Sequence, residues 1–210
     1  MRLASKKFLT GIITVVFTIG ILAGCGAPKP ADTVNEFLTA VKDADYKKAL
    51  TYVDSNKDSE FNLSELSKKT EGEIDGMKIF NAIAKSYKFE KPEEVSTDGD
   101  KAKVKVKITS VDMQIALSQT ISEVMPMAFA SAFSEDQAAT DKQMEKLMEG
   151  TLMKNLSPKN ATMATRNVTL NLKKDKEGNY KIVADNQLME AILANAKDIN
   201  DMFDEMDNGK

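Results

Sequence analysis

Oxygen-bearing side chains recur through a twelve-residue segment that runs from Asp54 to Glu65. Their spacing follows that of an EF-hand loop, in which carboxylate and amide oxygens surround Ca²⁺. The segment also follows a predicted helix, as an EF-hand loop does. The sequence therefore predicts a candidate calcium site of weak affinity, and its ligands would be Asp54, Asn56, Asp58, Glu60, Asn62 and Glu65.

The same segment can be interpreted as a solvated acidic loop without a metal. Ser59 stands where the sharp turn of a calcium loop requires glycine. Phe61 stands where an aliphatic residue is usual. Asn62 and Glu65 have the spacing of a capping box that starts a short helix. Both interpretations stay open from the sequence.

The chain contains twelve methionines, seven of them between Met113 and Met163. Thioether sulfur binds Cu(I), and Met144 and Met148 share one face of a predicted helix. Methionine at helical spacing is also common as core filling or as an adaptable apolar groove. The alternatives are therefore a copper site, a Met-lined pocket for an apolar small molecule or peptide, and a packed core.

Histidine is absent from the chain, and Cys25 is its only cysteine. These counts exclude a Ser/His/Asp triad, imidazole metal sites and a disulfide within the chain. Asp112, at the end of a predicted long strand, and Tyr180 could act as a general acid or base. A helix N-cap and a core aromatic are simpler roles for them. We therefore assign no catalytic residue and, apart from the calcium alternative, no metal and no cofactor.

Cys25 lies at the end of a predicted secretory leader. Basic residues are followed by an uncharged, mostly apolar run over residues 8–22, which is the layout of a signal peptide. This run is shorter than the roughly 20 residues that cross a bilayer as a helix. The motif that follows, Leu22-Ala23-Gly24-Cys25, resembles the lipobox of bacterial lipoproteins. The resemblance implies that residues 1–24 are removed and that Cys25 carries the lipid.

Acyl chains on Cys25 would tether the domain to the outer side of the cell membrane. Residues 25–30 form the anchor and a short spacer that contains two prolines. Without residues 1–24 the chain has 26 Lys and Arg against 32 Asp and Glu, a net charge of −6. An exported, acidic chain with interspersed charges is not expected to bind nucleic acid.

The rest of the chain begins with helical periodicity and then changes to strand periodicity. Apolar spacing predicts a helix from Asp32, a bend at Asp43-Ala44-Asp45 and a second helix after it. A third helix is predicted from Gly76 to Ser86. Lysines then alternate strictly with apolar residues over residues 101–108, which predicts an antiparallel strand with one wet face and one buried face.

Four strands in two hairpins are predicted. The strand over residues 87–95 contains Pro92, so we expect it at a sheet edge or with a bulge. Asp98-Gly99 is predicted to form the turn that joins this strand to the lysine-rich strand. The second hairpin joins a strand over residues 168–173 to one over residues 180–184.

Further helices are predicted between and after the hairpins. An apolar stretch that begins at Leu117 is expected to break or kink at Pro126. Ser134 and Gln137 form a capping box at the start of the next helix. The chain ends in a predicted helix with one apolar face, formed by Leu188, Ile192, Ala196, Ile199 and Phe203.

Several of these stretches together resemble a known family. Residues 31–38 and 45–50, residues 99–106 and residues 178–182 are similar to the opening helices, first long strand and last strand of nuclear transport factor 2-like (cystatin-like) lipoproteins of Gram-positive bacteria. The resemblance implies an α+β fold in which a curved antiparallel sheet of about four strands wraps helices into a cone. The helical block at about 112–157 is longer than the usual crossing and is interpreted as an insertion.

We therefore expect a signal peptide, a lipid anchor and one α+β domain at residues 31–206, held on the extracytoplasmic face of the cell membrane. The favoured function is a non-catalytic binding or interaction module, with another envelope protein or an apolar ligand as its partner. The alternatives are a carrier with a Met-lined cone pocket, a weak calcium-binding lipoprotein, and a small isomerase- or dehydratase-like enzyme of the kind found in this fold superfamily.

Overall fold

The computed structural model describes residues 28–54, 75–131 and 137–195, without the side chains of residues 137–141. Six helices and five strands lie within this part of the chain. Helices α1 to α6 span Pro30–Lys42, Tyr46–Thr51, Gly76–Ala84, Met113–Ser131, Gln137–Asn155 and Asn186–Ile192. Strands β1 to β5 span Lys88–Phe89, Glu93–Asp98, Lys101–Val111, Met163–Lys174 and Tyr180–Ile182.

The predicted α+β class is confirmed, since a curled antiparallel sheet packs against helices. The strand order is β1-β3-β4-β5, and β2 pairs with the same edge of β3 as β1 does. Five strands replace the predicted four because the segment around Pro92, which has no N–H for a ladder, separates β1 from β2. The pairing with β3 also shifts between Glu94 and Ser96. The expected edge position and the expected bulge are both present.

Side chains alternate strictly along β3. Its lysines are exposed on the outer face of the sheet, whereas its apolar residues are buried on the inner face. β4 pairs with every residue of β3, and the inward side chains of β4 lie opposite the inward side chains of β3. The predicted wet and buried faces are confirmed, and the buried face is formed by Ala102, Val104, Val106, Ile108, Val168, Leu170 and Leu172.

Helices α1 and α2 cover part of this inner face. α1 begins at Pro30 and not after Asp32 as predicted, because proline suits the first position of a helix. The predicted bend is present, with Ala44 at φ 59°. The Asp45 carboxylate then accepts a hydrogen bond from the Lys48 backbone N–H and caps α2. The predicted apolar face of α1 is buried, namely Val34, Phe37, Leu38 and Val41.

Helices α4 and α5 pack against each other as a helical hairpin. Of the break or kink predicted at Pro126, the break is wrong, since α4 continues through Pro126 to Ser131, and the kink stays a prediction. Proline removes one backbone hydrogen bond from a helix. Both flanking stretches of α4 keep their own hydrogen bonds, so the loss of one bond does not end the helix.

The predicted C-terminal helix is shorter than its apolar pattern indicates. α6 ends at Ile192, and Leu193 is extended. Tertiary contacts end the helix here, because Ala194 forms a parallel bridge with Asp112 and accepts a hydrogen bond from the Met113 N–H. Asn195 follows in the left-handed region at φ 59°. The later members of the pattern, Ala196, Ile199 and Phe203, lie outside the described residues.

Candidate functional site

Apolar side chains fill the inner side of the sheet. Tyr46 and Phe80 pack edge to face, with ring centroids 5.6 Å apart. Three clefts lined by described residues lie at the surface. Met113 is packed in the core, and Met153 lines one of these three clefts. The largest fully buried side chains are Phe37, Phe80, Leu38, Ile83, Ile108, Leu152, Leu156, Leu170, Leu172, Ile182, Leu188 and Ile192.

A charged residue lies within this interior. Arg166 occupies an inward position of β4, and its side chain is only 12% exposed. Its Nε donates to the Glu190 carbonyl at 2.8 Å and lies 3.2 Å from the Glu190 carboxylate. Nη1 donates to Ser110 Oγ at 3.0 Å, and Nη2 donates to the carbonyls of Glu190 and Ala191. The guanidinium thereby joins β3, β4 and the C-terminal end of α6.

Neighbouring polar groups complete this buried network. Tyr87 Oη donates to the Ala191 carbonyl at 2.6 Å. Burial raises the pKa of Tyr87 well above its ordinary value of 10.0. Burial also lowers the pKa of Arg166, although Tyr87, Glu190 and Asp112 oppose that shift. Cations near the C-terminal end of a helix are favourable, so Arg166 fixes α6 on the sheet.

Asp112 and Tyr180 have the simpler roles that the sequence allowed. One Asp112 carboxylate oxygen accepts from the Ile115 N–H in the first turn of α4, and the other accepts from Asn195 Nδ2 at 2.7 Å. Tyr180 belongs to the core cluster and has the Lys174 ammonium 5.2 Å from its ring centroid. Sequence reasoning missed Arg166, although the two-residue alternation back from Val168 places it on the inner face.

Two of the predicted sites lie largely outside the described residues. Cys25 and the preceding Leu22, Ala23 and Gly24 are not among them. Of the candidate calcium ligands, Asp54 alone is described, while Asn56, Asp58, Glu60, Asn62 and Glu65 are not. No cluster of three potential metal ligands occurs in residues 28–54, 75–131 and 137–195. The calcium site stays a prediction.

The distal half of α4 forms a surface that sequence reasoning did not single out. Val124 is the last buried residue of the helix. Beyond it, Met127 is 57% exposed and Phe129 is 68% exposed. The run without charge extends from Val124 to Ser134 in the sequence, which is the signal that could have found it. We call this surface the apolar end of the hairpin, and it consists of Met125, Pro126, Met127, Ala128, Phe129 and Ala130.

The rim of this surface is charged and carries both signs. Lys154 Nζ on α5 lies 2.7 Å from the Glu123 carboxylate, one residue before the last buried position of α4. This hydrogen bond is the main reason that the pKa of Glu123 is lowered. Lys142 and Lys146, which precede Lys154 on α5, are also exposed. Large exposed apolar patches with polar rims mark protein or membrane contact sites.

The outer face of the sheet has a different character. Lysines of β3 and β4 project from it, and we call this surface the lysine face. Three of these lysines, Lys101, Lys103 and Lys173, line a cleft of about 470 Å³ together with Ser96, Asp98, Asn171 and Asp185. Asp185 is already engaged there, because it caps α6 and accepts a hydrogen bond from Asn171. The lysine face consists of Lys101, Lys103, Lys105, Lys107 and Lys173.

Comparison with known proteins gives limited matches. Residues 23–124 match a family model described as a domain of unknown function, DUF4878. No curated protein matches the chain. A crystal structure described as a "putative lipoprotein (ycdA)" from Bacillus subtilis subsp. subtilis str. 168 aligns with 76% of this chain at 16% identity and a TM-score of 0.41. The alignment covers 46% of that protein, so this chain spans less than half of its length.

Neither match is described as nuclear transport factor 2-like, so that resemblance stays a prediction. The described helices include none that is both long and apolar enough to span a bilayer.

Proposed function

We propose that the protein is a lipid-anchored extracytoplasmic module that binds another envelope protein and has no catalytic role. The observation that carries this proposal is a contrast within the fold. The interior is packed with side chains, while Met127 and Phe129 are exposed at the apolar end of the hairpin. A carrier needs an enclosed cavity, whereas an interaction module needs an accessible apolar surface.

The composition of this surface favours a protein partner over a lipid one. Methionine and phenylalanine are common in interface cores, where the flexible methionine side chain adapts to its neighbours. Glu123 and Lys154 place opposite charges side by side at the rim. A polar rim of mixed sign is typical of a protein interface, whereas a surface that binds membranes is enriched in cations.

The N-terminal sequence supports the anchor. The motif Leu22-Ala23-Gly24-Cys25 follows an uncharged, mostly apolar run, and helix α1 begins at Pro30, five residues after Cys25. Two or more acyl chains would hold the domain at the outer face of the membrane. Partners that share this membrane would meet the module at a high effective concentration.

Support for a non-catalytic role comes from the buried polar groups. Both carboxylate oxygens of Asp112 accept hydrogen bonds from groups that position α4 and residue 195. The polar atoms of Arg166 are engaged by Ser110, Glu190 and Ala191. These contacts connect elements of the fold, and neither Asp112 nor Arg166 lines the three surface clefts described above.

The anchor is tested by replacing Cys25 with serine and fractionating the cells. We expect wild-type protein in the membrane fraction with incorporated palmitate, and Cys25→Ser unlabelled and released or retained as the precursor. Ala27→Ser is the matched control, since it makes a small change two residues away and should label normally. Membrane retention of Cys25→Ser with its leader removed would contradict the anchor.

The interaction surface is tested by photocrosslinking in intact cells. A photoreactive phenylalanine analogue at position 129 should form an adduct with one other polypeptide, because Phe129 is 68% exposed, more than Met125 or Met127 of the same surface. The matched control places the same analogue at Val95, which is 58% exposed on the edge strand β2. Met127→Glu should abolish the adduct from position 129.

Three results would overturn the interaction proposal. The first is the absence of an adduct, and the second is equal adducts from positions 129 and 95. The third is an adduct that contains only copies of this chain, because it would identify the apolar end as a self-association surface.

A further inference from the structure

The lysine face concentrates positive charge on an acidic chain. The whole protein carries a net charge of −3, which becomes −6 without residues 1–24. Lys107 is paired with Glu90 at 2.7 Å. The other four lysines of the face make no ion pair with any described carboxylate, and they are Lys101, Lys103, Lys105 and Lys173.

The neighbours of these lysines leave a positive balance. On one side, Glu93 of β2 is opposite Lys105, and Asp98 is opposite Lys101. On the other side, β4 presents neutral side chains that can form hydrogen bonds, namely Thr165, Asn167, Thr169 and Asn171. Glu90 and Asp185 also lie beside the face, the first paired with Lys107 and the second in the cleft with Lys101, Lys103 and Lys173. With both included, the five lysines of the face exceed the acidic residues beside them by one.

The shape of the lysine face suits an extended anionic surface. Alternate residues of a strand are about 6.6 Å apart, so the row from Lys101 to Lys107 is about 20 Å long. The row is exposed along β3, and no aromatic side chain stands in the part of the outer face formed by β3 and β4. Lysine attracts phosphate mainly as a flexible point charge, which suits headgroups without fixed positions.

The predicted anchor at Cys25 would place the anionic membrane surface within reach of the lysine face. Five residues from Cys25 to Pro30 span at most about 17 Å when extended. Helix α1 begins at Pro30 and contacts the edge strand β2 and the lysine-bearing strand β3. A helix layer lies about 10 Å from its packing partner. The spacer is therefore long enough to pass the edge of the sheet and leave its outer face against the membrane.

We propose that the lysine face seats the domain on the anionic phospholipid headgroups of the membrane that holds its anchor. This inference rests on the proposed lipid anchor. Lysines close to an anionic membrane surface are attracted to it over about one Debye length, while the acidic remainder of the domain is repelled. The anchor sets the distance and the lysine face sets the orientation.

Lysine acetylation of the full acylated protein on vesicles tests this orientation without any substitution. We expect vesicles of phosphatidylglycerol and phosphatidylcholine to slow acetylation of Lys101, Lys103, Lys105 and Lys173 by about threefold or more relative to pure phosphatidylcholine, and 0.5 M salt to remove most of this protection. Lys47 on α2 and Lys85, directly after α3, are exposed and serve as internal controls whose labelling should not change.

A matched pair of charge variants tests whether the lysines act together. Replacing Lys103 and Lys105 with glutamine should weaken the remaining protection of Lys101 and Lys173. Replacing Lys47 and Lys85 with glutamine removes the same charge elsewhere and should leave that protection unchanged.

Several outcomes would overturn the inference. Equal labelling on both kinds of vesicle would do so, and so would equal protection of Lys47 and Lys85. Protection on pure phosphatidylcholine by millimolar inorganic phosphate would point to a small-anion site instead. Each of these results requires protein that floats with the vesicles, whereas protein that carries no acyl chain and does not float contradicts the proposed anchor itself.

Discussion

Two regions of this protein reverse the usual distribution of polarity. Arg166 places a charge in the interior, and the apolar end of the hairpin places Met127 and Phe129 in solvent. The two regions differ in how their chemical needs are met. Arg166 finds its hydrogen-bond acceptors within the chain, on β3 and at the end of α6. The described residues provide no cover for the apolar end.

This difference separates a structural feature from a functional one. A buried charge with complete partners fixes the elements that hold those partners. An apolar surface that the described residues leave exposed gains nothing from their folding and is best explained by a further contact. Substitutions in the first region should therefore change stability, and substitutions in the second should change binding alone.

The largest loss of stability is expected from Arg166→Met. The substitution leaves the Glu190 carboxylate, the end of α6 and Ser110 without their cation. Removing one partner of a buried ion pair costs about 3–5 kcal/mol, and the partial exposure of Glu190 lowers the expected value to about 2–4 kcal/mol. The free energy of unfolding in urea measures the effect.

Lys103→Met is the matched control for this substitution. It makes the same kind of change on the exposed outer face, so we expect a change within about 0.5 kcal/mol. Equal losses from the two variants would show that the Arg166 network does not fasten α6.

A smaller loss is expected from Tyr87→Phe, because the Tyr87 Oη to Ala191 hydrogen bond is removed while the ring stays. The net value of such a bond is about 1–2 kcal/mol. The pKa of Tyr87 is raised in the folded protein above its unfolded value of 10.0. The contribution of Tyr87 to the free energy of unfolding is therefore complete below pH 10.0 and is lost as the pH rises above that value. Wild-type protein should therefore approach the stability of Tyr87→Phe at strongly alkaline pH. A constant difference between pH 8 and pH 11.5 would contradict the assignment.

Much of the sheet could be predicted from the periodicity of the sequence. The alternation of lysine and apolar residues in β3 identified both faces of the sheet, and Pro92 identified the edge. These features are local, because side-chain direction in a strand depends only on position. The predicted continuation of the last helix is wrong at residues 193–195 for the opposite reason. Ala194 contacts Asp112, which is distant in sequence, and that contact ends the helix.

The candidate surface was harder to predict for a related reason. From the sequence alone, an apolar run such as residues 124–134 is predicted to lie in the core, because the packing of α4 is not known. The first half of α4 buries Met113, Ala116 and Thr120, while no residue of α4 after Val124 is buried. Sequence patterns predict that a helix has an apolar face, but they do not predict where its neighbours end.

A modest effect is expected at the rim of the apolar end, where Glu123 pairs with Lys154. The pKa of Glu123 is lowered, chiefly by the hydrogen bond from Lys154, from its ordinary value of 4.5. The contribution of Glu123 to the free energy of unfolding is therefore present above pH 4.5 and is lost as the pH falls below that value. Glu123→Gln should slightly lower the thermal midpoint at pH 7 and leave it unchanged near pH 3. Glu177→Gln, in an exposed turn, is the control, and an identical acid dependence in both variants would contradict the pairing.

The smallest effect on stability is expected from Phe129→Glu, and it is the most informative one. The side chain is largely exposed, so its replacement should change the free energy of unfolding by less than about 0.5 kcal/mol. Val95→Glu makes the same kind of change at another exposed apolar position and should behave alike in urea. The two variants should differ in cells, where Phe129→Glu alone would lose contact with the partner. A loss from Phe129→Glu as large as that from Arg166→Met would mean that this chain itself covers the apolar end, and the case for an external partner would fail.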